Sequence, residues 1–183
     1  MAIILNALAK PGALKTLRAA RAELETLTPL KTNCGKFCGG ACCEPDETGE
    51  NGMLLFPFEE EFYKEPIEGF AYHLVDDDTL YKGGKRFVCE GACPREHRPL
   101  ACRLFPLRIR LETDKTGDST RAVAELDPRA WCVCPLLERG GLRGMSADFV
   151  AAVERAGDIL AQNVYMLEAL HNEQKLLDEM RRL

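Results

Sequence analysis

Long apolar runs are missing from this chain. Ile3-Ile4-Leu5 is broken at once by Asn6, and no basic stretch precedes it. That run is too short for a signal peptide or a membrane span. The expected location is therefore the cytoplasm, where clustered cysteines act as metal ligands rather than disulfides. Net positive charge is missing too: the formal balance is −5, which argues against a general nucleic-acid binder. There is no P-loop, no G-x-G-x-x-G after a strand, no G-x-S-x-G and no H-E-x-x-H, so the common phosphate-binding, hydrolase and zinc-protease chemistries find no support. Internal repeats and low-complexity segments are absent as well.

Cysteine is what the chain has in excess, with nine in 183 residues. The densest group is Cys34-Gly-Lys-Phe-Cys38-Gly-Gly-Ala-Cys42-Cys43. Cys89 and Cys93 follow with Cys102 close behind, then Cys132 and Cys134. A chain of this length buries a core without covalent staples. An odd count and the vicinal Cys42-Cys43 pair also fit a disulfide framework poorly. Thiolates at short spacing, with glycines between them, are what a metal ion or an iron–sulfur cluster requires. All nine are candidate ligands: Cys34, Cys38, Cys42, Cys43, Cys89, Cys93, Cys102, Cys132 and Cys134. Their spacing nevertheless lacks the C-x2-C knuckle of structural zinc sites. Eight ligands would serve two four-cysteine sites, or one polynuclear centre with bridging sulfur. Zinc and iron–sulfur both stay open.

Hydrophobic content of 46% and charged content of 29% are ordinary for a soluble globular protein, and 183 residues suit one domain, or one domain plus an appendage. Charge is unevenly placed. Residues 85–110 carry seven Lys/Arg against two Asp/Glu, a local balance of +5 that leaves −10 for the rest. Three of the cysteines lie in this stretch, where arginines would favour thiolates.

Pro11 to Leu27 reads as a helix with Leu14, Leu17, Arg21 and Leu24 on one stripe. Its basic residues come early and its glutamates late, against the macrodipole, so packing must support it. Gly35, Gly39 and Gly40 make the first cysteine group a loop rather than a helix, with backbone N–H groups free to face sulfur. Residues 44–52 read as an exposed loop and Met53 to Phe56 as a short buried strand. Pro57 opens an acidic helical turn. Phe70 to Val75 and Thr79 to Tyr81 read as strands, with Gly83-Gly84 turning the chain into Arg86 to Cys89. Arg98 to Pro106 reads as one or two helical turns. Leu107 to Leu111 alternates as a strand with Leu107, Ile109 and Leu111 inward, and Arg121 to Leu126 returns beside it. Ser146 is the expected N-cap of a long final helix. Its stripe is Phe149, Val153, Ala156, Leu160, Val164, Leu167, Leu170 and Leu177, with Gly157 as a candidate kink. Trp131 and Val133 suggest apolar surroundings for Cys132 and Cys134. His97, between Cys93 and Cys102, is a candidate ligand or neighbour of one. His73 and His171 read as surface residues, and Asp76-Asp77-Asp78 as a solvated turn.

The cluster ending in Cys42-Cys43, the pair Cys89 and Cys93, and Arg98-Pro99-x-x-Cys102-Arg103-x-Phe105-Pro106 together resemble the YkgJ-type cysteine-cluster family of zinc- or iron-chelating domains. The resemblance covers roughly Cys34 to Pro135. It implies a metal site of about eight cysteines. The first cluster departs from the family's C-x2-C-x2-C-C by one extra residue in each early gap. Flagellin lysine methylases carry a region similar to this one.

These readings converge on an α+β fold, a small irregular antiparallel sheet with cysteine-rich loops flanked by an N-terminal helix and a long C-terminal helix. The expected organisation is a helical segment over residues 1–30, a metal-binding domain over 31–140, and a helix over 141–183 packed on it. The expected function is metal binding through clustered thiolates, at least partly structural. An iron–sulfur enzyme of methyl transfer or redox chemistry is the alternative. An interaction module, or a homodimer through the C-terminal helix, is the third reading. No nucleic-acid or membrane partner is expected.

Overall fold

A computed structural model describes residues 7–44, 52–91, 93–117 and 119–181. The expected loop at 44–52 and the Ile3-Ile4-Leu5 run lie wholly or largely outside these residues. The fold is α+β. Among the described residues it has five helices, several 3-10 turns and two small antiparallel sheets. No helix among the described residues is long and apolar enough to cross a membrane.

Helix α1 spans Lys10–Glu23. Its buried stripe is Ala13, Leu17, Ala20 and Leu24, all fully shielded. The leucine pattern captures half of it; the alanines let α1 approach the helix Ala147–Ala161 closely. The helix ends earlier than Leu27, and distant arginines take carbonyls of its last turn and of the chain just beyond it. Arg95 donates to the carbonyls of Leu24, Glu25 and Leu27, and Arg103 to that of Arg21. Those two cations supply at the C-terminus the charge that α1's own glutamates do not.

One sheet has three strands in the order β1-β3-β2, with β1 Met53–Leu54, β2 Tyr72–Asp76 and β3 Lys85–Cys89. The β2–β3 hairpin sets Leu74 opposite Phe87 and Tyr72 opposite Cys89. Thr79 to Tyr81 is not a strand but part of the connecting turn. The aspartates there are engaged locally. Asp77 pairs with Arg86 and accepts from the Thr79 amide, and Asp78 accepts from the Gly83 amide. Beneath this sheet Leu55, Tyr63, Phe70 and Phe87 form a small aromatic core.

The second sheet is the hairpin of β4 Leu107–Thr113 and β5 Thr120–Leu126. Leu107, Ile109 and Leu111 face the main core as their alternation requires. Both outer edges are closed by helix side chains. Gln174 accepts from the Leu111 amide at 2.9 Å, and Asp158 accepts from the Ala122 amide at 2.8 Å. A two-stranded ribbon with open edges would invite pairing with another chain.

The C-terminal helical region runs as two helices, α4 Ala147–Ala161 and α5 Val164–Met180. The break falls at Asn163, whose side chain accepts from the amides of Tyr165 and Met166 and so starts α5 afresh. That restart shifts the helical phase. Val164 becomes 66% exposed, and Met166, Ala169, Leu170 and Leu177 take the buried positions. Gly157 is not a kink. A Cβ there would sit 2.4 Å from Ala122 Cβ and 2.8 Å from Ile109 Cγ2. The glycine is what allows α4 to lie against the β4–β5 hairpin.

Candidate metal centre

The first cysteine group begins with helix α2, Gly35–Cys38, a single turn that Cys34 precedes. Gly39 and Gly40 follow at φ 66° and 84°. Two consecutive left-handed residues reverse the chain at little steric cost only because both are glycine. The 3-10 turn Ala41–Cys43 then carries the vicinal thiols. Cys89 ends β3, and Cys93 follows after Gly91 at φ 125°. Cys102 sits in helix α3, Leu100–Leu104. Cys134 follows the turn Pro128–Cys132 and precedes Pro135.

These segments meet. Cys42, Cys43, Cys89, Cys93 and Cys102 line one cavity of about 130 Å³. Cys42 Sγ and Cys43 Sγ are 3.9 Å apart, and Cys43 is hydrogen-bonded to Cys93. Cys34 and Cys38 lie near enough to Cys42 and to Cys134 to act on both electrostatically. Eight of the nine candidate thiols therefore belong to one neighbourhood. Cys132 stands apart: it is exposed and does not line the cavity. Its neighbour Trp131 is 64% exposed, so the apolar surroundings suggested by the sequence are not found at that position. Val133 does lie on the cavity wall. His97 uses its carbonyl to accept from the Tyr63 hydroxyl, and its ring does not line the cavity.

The donor set is chemically suited to zinc or an iron–sulfur centre, which prefer thiolate sulfur. Among the described residues, however, no three Cys, His, Asp or Glu side chains converge on one point closely enough to hold an ion as they stand. The thiols ring the cavity at a distance rather than forming a closed cage.

Electrostatics follow from the crowding. Burial, then the neighbouring thiolates, pushes Cys102 well above the usual cysteine range. Cys93 is raised by its hydrogen bond with Cys43 and by burial. Cys43 is pushed up to about 11, chiefly by the hydrogen bond it makes to Cys42. The same bond lowers Cys42. Burial raises Cys34, Cys89 and Cys134. Eight thiols at this density do not ionise together without positive charge to compensate.

Arg98 supplies that charge. It lines the cavity, hydrogen-bonds Cys93 and draws Cys34, Cys43, Cys89 and Cys93 toward the thiolate form. Arg129 also lines the cavity, but its guanidinium is already held by Asp127 at 2.6 Å and Glu173 at 3.0 Å. Arg103 does not take the role its position beside Cys102 suggests. It is 5% exposed and donates to the carbonyls of Arg98, Glu96 and Arg21.

One buried residue of the site was invisible in the sequence. Glu59 is completely shielded. Its carboxylate accepts from the Leu100 amide at 2.6 Å, the Phe56 amide at 3.1 Å and Arg21 at 3.2 Å. It caps the N-terminus of α3, where Pro99 offers no side-chain cap. Its place in an acidic run, Glu59-Glu60-Glu61, gives no hint of burial. The residue before it, Phe58, turns the chain at φ 67°, a conformation no sequence pattern marks here.

No protein-family model, curated protein or solved structure matches this chain.

Proposed function

We propose that this protein binds a metal centre, zinc or an iron–sulfur cluster, through thiolates gathered around the Cys42–Cys102 cavity, and that the centre is at least partly structural. The observation that carries this reading is the convergence on one cavity of thiols from four separate places: a 3-10 turn, a strand end, a loop and a helix. Core packing alone gives no reason for five cysteines to share one cavity beside a half-buried arginine. The resemblance to YkgJ-type chelating domains points the same way, and the cytoplasmic location that we propose with it would keep the thiols reduced.

The test is metal and acid-labile sulfide content, with a visible spectrum, on protein purified without oxygen. Iron and sulfide would make this an iron–sulfur protein; stoichiometric zinc would make it a zinc protein. Neither above trace would overturn the proposal. Bound metal also adds to folding energy: at free metal 1,000 times Kd the gain is about 4 kcal/mol.

A second reading, an enzyme, draws on the space itself. A single water needs roughly 10–15 Å³ of such volume, so a cavity of about 130 Å³ leaves room beside an ion for a small ligand. The interaction-module reading gains less. Helices α4 and α5 turn their apolar stripes into the chain's own core.

A further inference from the structure

Arg98 contains an anomaly. Its Nε is shielded from solvent and, among the described residues, has no hydrogen-bond partner. The backbone around it is satisfied: the Arg98 amide donates to the Arg95 carbonyl, and its own carbonyl accepts from Arg103. The guanidinium as a whole draws Cys93 toward the thiolate form. A buried N–H on a cation without an acceptor is a standing cost. Arginine's donors form a rigid fork, so the Nε cannot find another partner by turning independently of the rest. The other arginine on the cavity wall shows no such gap, being closed off by Asp127 and Glu173.

We propose that the Nε–H of Arg98 is the donor reserved for an anionic ligand atom of the bound centre, a metal-bound thiolate, sulfide or oxyanion, and that Arg98 thereby sets how strongly the centre is held. This rests on the metal-binding reading above. Arg98 and the thiols of Cys42, Cys43, Cys89, Cys93 and Cys102 line the same cavity, so the unpartnered donor and the sulfur atoms share one site. Thiolates crowding the cavity bring negative charge that one or two divalent ions only partly cancel, and among the described residues the one guanidinium on its wall not held by carboxylates is that of Arg98. A hydrogen bond from a cation to an anionic sulfur or oxygen in a shielded site is of the stronger kind. In the absence of the centre, the same residue is a burden on the fold.

That double character gives a signature a purely structural arginine would not show. Apo protein is prepared anaerobically, titrated with Co(II) as the probe, and followed by its sulfur-to-metal charge-transfer absorption. Melting is measured with and without the ion. Arg98→Met is expected to leave the apo melting temperature unchanged or raised and to weaken Co(II) binding about 10- to 100-fold. Arg98→Lys, which keeps the charge but not the fork, should fall between Met and wild type and shift the absorption band. Equal binding by wild type and both variants would overturn the role of Arg98 alone. So would apo and loaded forms of Arg98→Met destabilised alike, which marks a structural residue. Wild type that takes up no Co(II) would overturn the metal reading and this inference with it.

Discussion

Replacing Glu59 with alanine should cost about 3–5 kcal/mol, the range for breaking a buried ion pair by removing one partner. The geometry sets the figure. The carboxylate is completely shielded and holds the Phe56 and Leu100 amides and the Arg21 guanidinium. Without it, two buried amides lose their acceptor at about 1–3 kcal/mol each. Arg21 retains a contact to Tyr63 and the Glu96 carbonyl, which keeps the total from rising further. Glu59→Gln, with one acceptor oxygen left, should cost about half as much. Urea unfolding at neutral pH measures both, and for a chain of this size the alanine variant should melt roughly 6–20 °C lower. The pH dependence provides a second check. Burial raises the Glu59 pKa despite Arg21 and the two amides. A carboxyl raised in the folded state contributes most stability below its unfolded pKa and loses it as pH rises through the folded value. Wild type should therefore lose stability relative to Glu59→Gln on going from acid to neutral pH through that window. A cost below about 1 kcal/mol for alanine, or no such pH difference, would refute the assignment of Glu59 as the pin beneath α3.

Gly157→Ala gains about 1 kcal/mol of helix propensity, but its Cβ meets Ala122 at 2.4 Å and Ile109 at 2.8 Å. Overpacking of about 1–3 kcal/mol should win, and a raised melting temperature by circular dichroism would contradict it. Cys132→Ser should leave metal content and melting of the metal-loaded protein unchanged, while Cys102→Ser lowers both; equal effects would dissolve the distinction between them. Asp178 is held below the usual carboxylate range by its hydrogen bond from Arg108. A lowered carboxyl stabilises above its unfolded pKa and loses that as pH falls through the folded value. Asp178→Asn should thus lower stability at pH 7 by less than about 1 kcal/mol, the pair being part exposed, and merge with wild type in acid. A deficit that persists in acid would show that the ion pair is not its cause.

The hairpins were legible because their signals are local. Alternation at Leu107, Ile109 and Leu111 and the turn at Gly83-Gly84 report directly on strand faces and reversals. The break between α4 and α5 was not, since the apolar spacing runs on through Asn163 and only the cap geometry stops the helix. Of the site, the residue types and the group as a whole were readable: thiols brought together from residue 34 to residue 134. Their separate placements were not. Arg98 and Arg103 are indistinguishable as flanking cations in the sequence, yet one reaches the cavity and the other serves three carbonyls. Glu59 was hidden for the same reason. Whether a charge is buried depends on what folds over it, and that comes from α1 and α3, about 40 residues away on either side.

The cavity lies on a seam. Phe87, Cys89 and Cys93 belong with the small aromatic core, whereas Phe105 packs against the large helical one and Cys102 shares its helix with residues of that core. Any ligand that joins a thiol on one side to a thiol on the other becomes a rivet between the two cores, against both of which Phe62 already packs. With the rivet in place, the two should melt as one transition. With it withdrawn, the three-stranded sheet would be free to come apart ahead of the helices, so a chelator would act on the cooperativity of the fold as well as on its stability.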